Sequence, residues 1–125
     1  MKILVCISCV PDTTSRINFI ENETQFDRTG VQYVINPNDE FGLTRAIWLK
    51  EKDSCEVHVI CVGGIDTDPI LRKALAIGAD HAFRVDTKPL DANQVAKEIS
   101  DLVKEKEYNL IIAGRESIDY NGGMV

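Results

Sequence analysis

The chain alternates between short, continuously apolar runs and longer stretches in which apolar residues recur every three or four positions. The apolar runs predict four strands, at 3–7, 57–62, 82–85 and 110–113. Runs that are apolar at nearly every position are typical of parallel strands covered on both faces. The segment 16–33 breaks this rhythm, and its loose alternation predicts a small β-hairpin excursion after the first strand.

Three helices are predicted between the strands. The first begins at Asn36-Pro37, where Asn36 is expected to cap the helix and Pro37 to occupy its first position. The second begins near Asp68 and ends at Gly78, and the third is capped by Asp91. The apolar residues expected to face the sheet are Leu43, Ala46, Ile47, Leu71, Ala74, Leu75, Val95, Ile99, Leu102 and Val103.

This order of elements predicts an α/β fold with three layers. The expected core is a doubly wound, mostly parallel sheet with right-handed crossovers, of the type that binds adenine nucleotides. A chain of 125 residues has room for one domain, 1–125. The polar, glycine-bearing segment 115–123 stands where another helix should begin, so we expect this domain to be truncated from a longer subunit.

Composition and charge exclude several classes of protein. A net charge of -6, with scattered lysines and arginines, argues against nucleic acid as a partner. No apolar stretch approaches the roughly 20 residues that a membrane helix needs, and the first apolar run is too short for a signal peptide. We therefore expect no membrane insertion and a cytoplasmic or organelle-matrix location.

The cysteines and histidines are candidates for redox or metal chemistry. Cys6 and Cys9 form a C-x-x-C pattern, but positions three apart on a strand point to opposite faces, which favours a structural role. A zinc site would need more ligands than this pair supplies. His58 and His81 stand alone in the sequence, and we interpret them as strand or loop residues rather than ligands.

Ligand chemistry is expected at the carboxyl ends of the strands, where open α/β sheets bind their ligands. Glycines allow close approach of the backbone, so Asn121-Gly122-Gly123 is a candidate phosphate cradle, although the same tripeptide is also an ordinary turn. Neither a G-x-G-x-x-G motif nor a P-loop is present, and no nucleophile stands beside a base. The residues indicate a nucleotide-binding domain without a catalytic group.

Four segments in order resemble motifs of electron-transferring flavoprotein beta subunits. They are 1–13, which includes Val10-Pro11-Asp12-Thr13, then 35–40, 71–80 and 109–119. The resemblance implies an electron carrier rather than an enzyme in its own right, in the bacterial cytoplasm or the mitochondrial matrix. It implies an alpha-subunit partner that holds most of the FAD, with acyl-CoA or other flavin dehydrogenases as further partners.

The same resemblance implies that the chain binds AMP, or a second FAD as in electron-bifurcating members. The implied nucleotide-binding residues are Cys6, Asn36, Pro37, Asn38, Asp39, Val62, Gly114, Arg115, Glu116, Ser117, Ile118, Asp119, Asn121, Gly122 and Gly123. Thr13 matches a position that approaches the partner's flavin. After Asp119 the sequence lacks the threonine and glutamine usual in the family, which leaves AMP and FAD both open.

Two alternatives share the fold. A universal-stress-like ATP-binding module would have spaced glycines ending in Gly-Ser or Gly-Thr after the last strand, whereas Gly123 is followed by Met124. An adenylyl-transfer enzyme would have a Ser-Gly-Gly-x-Asp loop or a His-x-Gly-His element, and neither occurs. Measured ATP turnover separates an enzyme of this kind from an electron carrier.

Overall fold

A computed structural model describes residues 1–125. In chain order the elements are β1 (Lys2–Cys6), β2 (Cys9–Pro11), β3 (Phe19–Ile20), β4 (Gln25–Phe26), β5 (Tyr33–Ile35), α1 (Pro37–Asp53), β6 (Glu56–Val62), α2 (Asp68–Ile77), β7 (His81–Val85), α3 (Ala92–Lys106) and β8 (Leu110–Ala113). A single 3-10 turn, Ile65–Thr67, precedes α2. None of the three α-helices combines the length and apolar character that crossing a bilayer requires.

The central sheet has four parallel strands in the spatial order β7-β6-β1-β8. The chain moves outward from β1 through β6 to β7 and then returns to place β8 on the other side of β1. This reversal creates a switch point between β1 and β8, which is where open α/β sheets form their ligand crevice. The predicted α/β class, with a mostly parallel sheet flanked by helices, is confirmed.

The excursion between β1 and α1 contains two antiparallel pairs. β3 and β4 form the predicted hairpin, which turns through Glu21, Asn22 and Glu23 at φ values of 53°, 54° and 65°. β2 pairs with β5, so the chain returns to the end of β1 before α1 begins. This second pairing, which the sequence pattern did not predict, places the N-terminus of α1 beside the carboxyl edge of the sheet.

The core occupies both faces of the two central strands. Along β1, Ile3, Leu4 and Val5 are all fully buried, although successive strand residues point to opposite faces. Ile3 and Val5 pack in one cluster with Leu43 and Ala46 of α1. Burial on both faces explains why these strands are continuously apolar in the sequence.

Two expectations about helix packing are wrong in detail. Leu75 is 41% exposed, and Ile70 instead joins Leu71 and Ala74 in the buried stripe of α2. The third helix is capped by Asp91 as predicted, since its side chain accepts a hydrogen bond from the N–H of Gln94 at 2.8 Å. However, α3 has no fully buried residue, and the apolar residues predicted to be buried there, Val95, Ile99, Leu102 and Val103, are only half-buried.

Candidate functional site

A crevice of about 960 Å³ opens at the carboxyl edge of the sheet. It is lined by residues from four segments that follow the parallel strands, within 6–10, 62–67, 86–92 and 113–125. Cofactor and small-molecule sites are typically about 300–1,000 Å³ in volume. The loops after β1, β6 and β8 therefore share one pocket large enough for a cofactor.

Asp39 links the two strands at the switch point. Its Oδ2 accepts hydrogen bonds from the Ser8 backbone N–H at 3.0 Å and from the Ser8 hydroxyl at 2.7 Å. Its Oδ1 accepts from the backbone N–H of Gly114 at 3.1 Å. The carboxylate is buried in the first turn of α1, where the helix dipole favours a negative charge. One side chain thus holds the loops after β1 and β8 against α1.

Asn36 and Asn38 fix the loop that follows β8. The amide groups of both donate to the carbonyl oxygen of Glu116, at 2.9 and 2.8 Å. The Oδ1 of Asn36 accepts from the backbone N–H of Ile118 at 3.1 Å. The predicted capping role of the Asn36 side chain is therefore wrong, because both of its polar atoms bind the distant loop instead. Pro37 occupies the start of α1 as predicted.

The loop itself closes through Ser117. The Ser117 N–H donates to the carbonyl of Gly122 at 3.0 Å, and the Asn121 N–H donates to the carbonyl of Ser117 at 3.0 Å. The Gly122 N–H donates to the Ser117 hydroxyl at 3.1 Å. Asn121 has a φ of 57°, in the left-handed region that asparagine tolerates. Asn121 and Gly122 thus form a turn and use their N–H groups internally, so of the predicted cradle only Gly123 presents a backbone N–H without a partner in the chain.

The structure brings most of the predicted site residues to the crevice. Those that line it are Cys6, Asn36, Asp39, Val62, Gly114, Arg115, Glu116, Ser117, Asp119, Gly122 and Gly123. Those that lie outside its lining are Pro37, Asn38, Ile118 and Asn121. Thr13 is also outside, exposed in the loop after β2, where Asp12 is its nearest hydrogen-bonding neighbour at 3.5 Å.

Several lining residues were not predicted from the sequence. Arg28 reaches the crevice from the end of the hairpin and forms an ion pair with Asp66, which raises the pKa of the guanidinium. The loop 86–92 contributes a whole wall. It follows the third parallel strand, so the rule that ligands bind at strand ends could have identified it. No comparable local signal marks Arg28.

The two cysteines of the C-x-x-C pattern lie in surroundings that keep them in the protonated thiol form. Burial, and then the nearby Asp39 carboxylate, raise the pKa of Cys6 to about 11. Burial, followed by Asp66, raises the pKa of Cys9 to about 11. Because the thiolate is the reactive form, these thiols are nearly inert at neutral pH. The structural interpretation of the pair agrees with this environment.

We expect iodoacetamide to alkylate Cys6 and Cys9 at pH 7.5 far more slowly than it alkylates the thiol of free glutathione, which serves as the control. The ordinary thiol pKa is about 8.5, so both positions carry much less thiolate at this pH. Labelling should accelerate as the pH rises toward 10, provided that the protein remains folded. Mass spectrometry of the alkylated peptides measures the rates. Labelling as fast as that of glutathione, or a Cys6–Cys9 disulfide after mild oxidation, would contradict the expectation.

The fold and the crevice define a class of protein: a doubly wound α/β domain with an open crevice at its switch point. A family model described as "Electron transfer flavoprotein domain" matches residues 23–124. The chain is 36% identical over 129 residues to the electron transfer flavoprotein subunit beta of Thermoanaerobacterium thermosaccharolyticum, covering 95% of the chain and 46% of that protein. It is 32% identical to the corresponding Bacillus subtilis subunit, covering 100% of the chain and 49% of that protein.

A third relative is the "Caffeyl-CoA reductase-Etf complex subunit CarD" of Acetobacterium woodii, which is 32% identical and covers 95% of the chain and 47% of the relative. The chain therefore belongs to the electron transfer flavoprotein family, and the resemblance to its beta subunits is confirmed. The chain spans about half the length of the curated relatives it matches.

Proposed function

We propose that this chain is the nucleotide-binding part of an electron transfer flavoprotein beta subunit, and that its crevice holds an adenine nucleotide without reacting with it. The observation that carries this proposal is the convergence of four strand-end loops on one crevice at the switch point. Family membership favours this electron-carrier role over the universal-stress-like and adenylyl-transfer alternatives.

The walls of the crevice suit the two ends of an adenylate. Val62, Val95 and Ile99 supply apolar side chains against which a purine ring can pack. The N–H of Gly123 is available to a phosphate. A Cβ at Gly123 would lie 3.0 Å from the carbonyl oxygen of Arg115, so glycine allows the loop to pack closely at this point. Both AMP and the AMP half of FAD offer this chemistry, so AMP and a second FAD are the two candidate ligands.

Electron transfer by the complete protein is part of the same proposal. An alpha subunit would hold the redox-active FAD, and acyl-CoA or other flavin dehydrogenases would exchange electrons with it. Thr13 would face that flavin, since it is exposed on the loop after β2 and free to meet a partner. The cofactor carries the electrons, and this chain supplies position and electrostatics.

The ligand can be identified by mass spectrometry of the nucleotide released from the protein purified with its partner. We expect AMP or FAD in a fixed ratio to the chain. Val62→Phe should lower the affinity for the released nucleotide by about tenfold or more, because the larger ring fills space in the crevice. Val85→Phe is the matched control, since Val85 is the register partner of Val62 but does not line the crevice. Protein free of nucleotide, or equal losses in both variants, would refute the assignment.

A further inference from the structure

Three potential metal ligands meet at the amino-terminal edge of the sheet, the edge opposite the crevice. Glu56 and His58 lie two residues apart on β6, so their side chains share one face of the sheet. His81 begins β7 and is the register partner of His58. The ligand atoms of the three side chains all lie within 4.8 Å of one another. The parallel register therefore joins two histidines that are far apart in the sequence.

The imidazole of His58 is fixed in place. The residue is only 5% exposed, and its Nδ1 lies 2.8 Å from the hydroxyl of Tyr108. Its Nε2 lies 2.6 Å from Oε1 of Glu56. Histidines that bind metals usually have their other ring nitrogen held by a hydrogen bond, which sets the tautomer. An ionised carboxylate only accepts hydrogen bonds, so Nε2–H donates to Glu56 and Nδ1 accepts from the Tyr108 hydroxyl. A metal ion would replace the proton on Nε2, and the imidazole proton would then lie on Nδ1 and be donated to the Tyr108 oxygen.

The other two ligands can adjust to an ion. The side chains of His81 and Glu56 are 60% and 47% exposed, so solvent reaches both. Nε2 of His81 lies 3.6 Å from Oε1 of Glu56, which is beyond hydrogen-bonding distance. In a tetrahedral site, zinc bonds to nitrogen and oxygen of about 2.0–2.2 Å place the ligand atoms roughly 3.3–3.6 Å apart. The Glu56–His81 separation of 3.6 Å already fits this spacing, whereas the 2.6 Å between Glu56 and His58 is too short. A small movement of the exposed Glu56 side chain away from His58 provides the required distance.

Two lysines bring positive charge to the same edge. Lys2 donates from Nζ to the carbonyl oxygen of Lys106 at 3.0 Å and lies 5.7 Å from the centre of the Tyr108 ring. Lys106 lies 5.1 Å from the centre of the Phe83 ring. The positive charges of these lysines repel a bound metal ion, and the negative charge of the Glu56 carboxylate partly compensates for that repulsion. A simple electrostatic site for Mg²⁺ or Ca²⁺ is therefore disfavoured, whereas imidazole ligands select transition metals.

We propose that Glu56, His58 and His81 bind a divalent transition-metal ion, with Zn²⁺ as the best match. Two imidazoles and one carboxylate form a known zinc ligand set, and water would complete the tetrahedron on the exposed side. A bound ion ties the first residue of β7 to β6 at the end of the sheet away from the nucleotide crevice. Nothing in this site depends on the proposed nucleotide, so the two proposals stand or fall separately.

The test is a calorimetric titration with Zn²⁺ alone, after chelator treatment, of the protein as purified with its nucleotide and partner retained. We expect His81→Ala and Glu56→Gln each to weaken binding at one site by about tenfold or more. Both residues are exposed, so these variants should fold. Glu105→Gln changes an exposed glutamate on α3 and should bind Zn²⁺ as the unmodified protein does. Unchanged affinity in His81→Ala would overturn the proposal.

Cobalt substitution tests the ligand type independently, since the chain also has four free cysteines. Co²⁺ in the proposed site should give visible d–d absorption without the sulfur-to-cobalt charge-transfer band that thiolate ligands produce. That absorption should disappear in His81→Ala. A charge-transfer band, or a spectrum that His81→Ala leaves intact, would place the metal at the cysteines or on a partner chain and overturn the assignment.

Discussion

Replacing Asp39 by alanine is expected to lower the free energy of unfolding by roughly 2–6 kcal/mol, because the backbone N–H groups of Ser8 and Gly114 lose their acceptor at about 1–3 kcal/mol each. The loss is a large fraction of the roughly 5–15 kcal/mol that stabilises a typical domain. The same change removes the only side chain that holds the loops after both β1 and β8. Nucleotide affinity should therefore fall even at temperatures where the variant remains folded.

Urea denaturation and nucleotide titration measure the two effects. Glu40→Ala is the matched control: Glu40 is the next residue of α1, and its ion pair with Lys73 is long, at 3.8 Å, and exposed. Such a pair contributes about 0–1 kcal/mol, so the control should stay close to the unmodified protein. Asp39→Asn keeps one acceptor oxygen and should fall between the two. Equal unfolding midpoints for Asp39→Ala and Glu40→Ala would show that the Asp39 contacts do not support the fold.

The strands and helix ends were predictable because their signals are local. The apolar runs at 3–7 and 57–62 correspond closely to β1 and β6, since a strand covered on both faces has few polar positions. Gly78 marked the end of α2 through a φ of 138°, which favours glycine. The pairing of β2 with β5 had no such signal, because it joins short segments more than 20 positions apart. The burial of Ile70 in place of Leu75 shows that spacing alone leaves the orientation of a short helix uncertain.

The crevice was predictable from a topological rule, whereas the roles of its residues were not. Asn36 before Pro37 has the local pattern of a cap, yet its side chain bonds to a loop some 80 positions away. A tertiary contact of this kind overrides the local preference and cannot be read from neighbouring residues. The same limit applies to His58 and His81, which look isolated until the β6–β7 register places them side by side.

Replacing Gly114 by alanine is expected to lower the free energy of unfolding by roughly 2–4 kcal/mol, through overpacking and the loss of a buried hydrogen bond. A Cβ at this position would lie 2.2 Å from Oδ1 of Asp39 and 3.0 Å from backbone atoms of both Asn38 and Asp39. The backbone of α1 cannot rotate out of the way as a side chain could. The loop after β8 must then move away from the helix, which opens the switch point and should reduce nucleotide affinity as well.

Gly64→Ala provides the comparison within the same crevice. Gly64 has φ and ψ of -76° and -176°, which alanine adopts readily, and its added Cβ would meet only the end of the Asp66 side chain, at 3.0 Å. Its effect on stability should stay within about 1 kcal/mol, with the lower entropy of the unfolded chain partly offsetting the contact. The unfolding temperatures of both variants are measured with and without added nucleotide. The comparison shows whether an added side chain is harmful only at Gly114, where the loop contacts α1, or at any glycine of the crevice. Equal unfolding temperatures for Gly114→Ala and Gly64→Ala would contradict the idea that Gly114 is needed for close contact between the loop after β8 and α1.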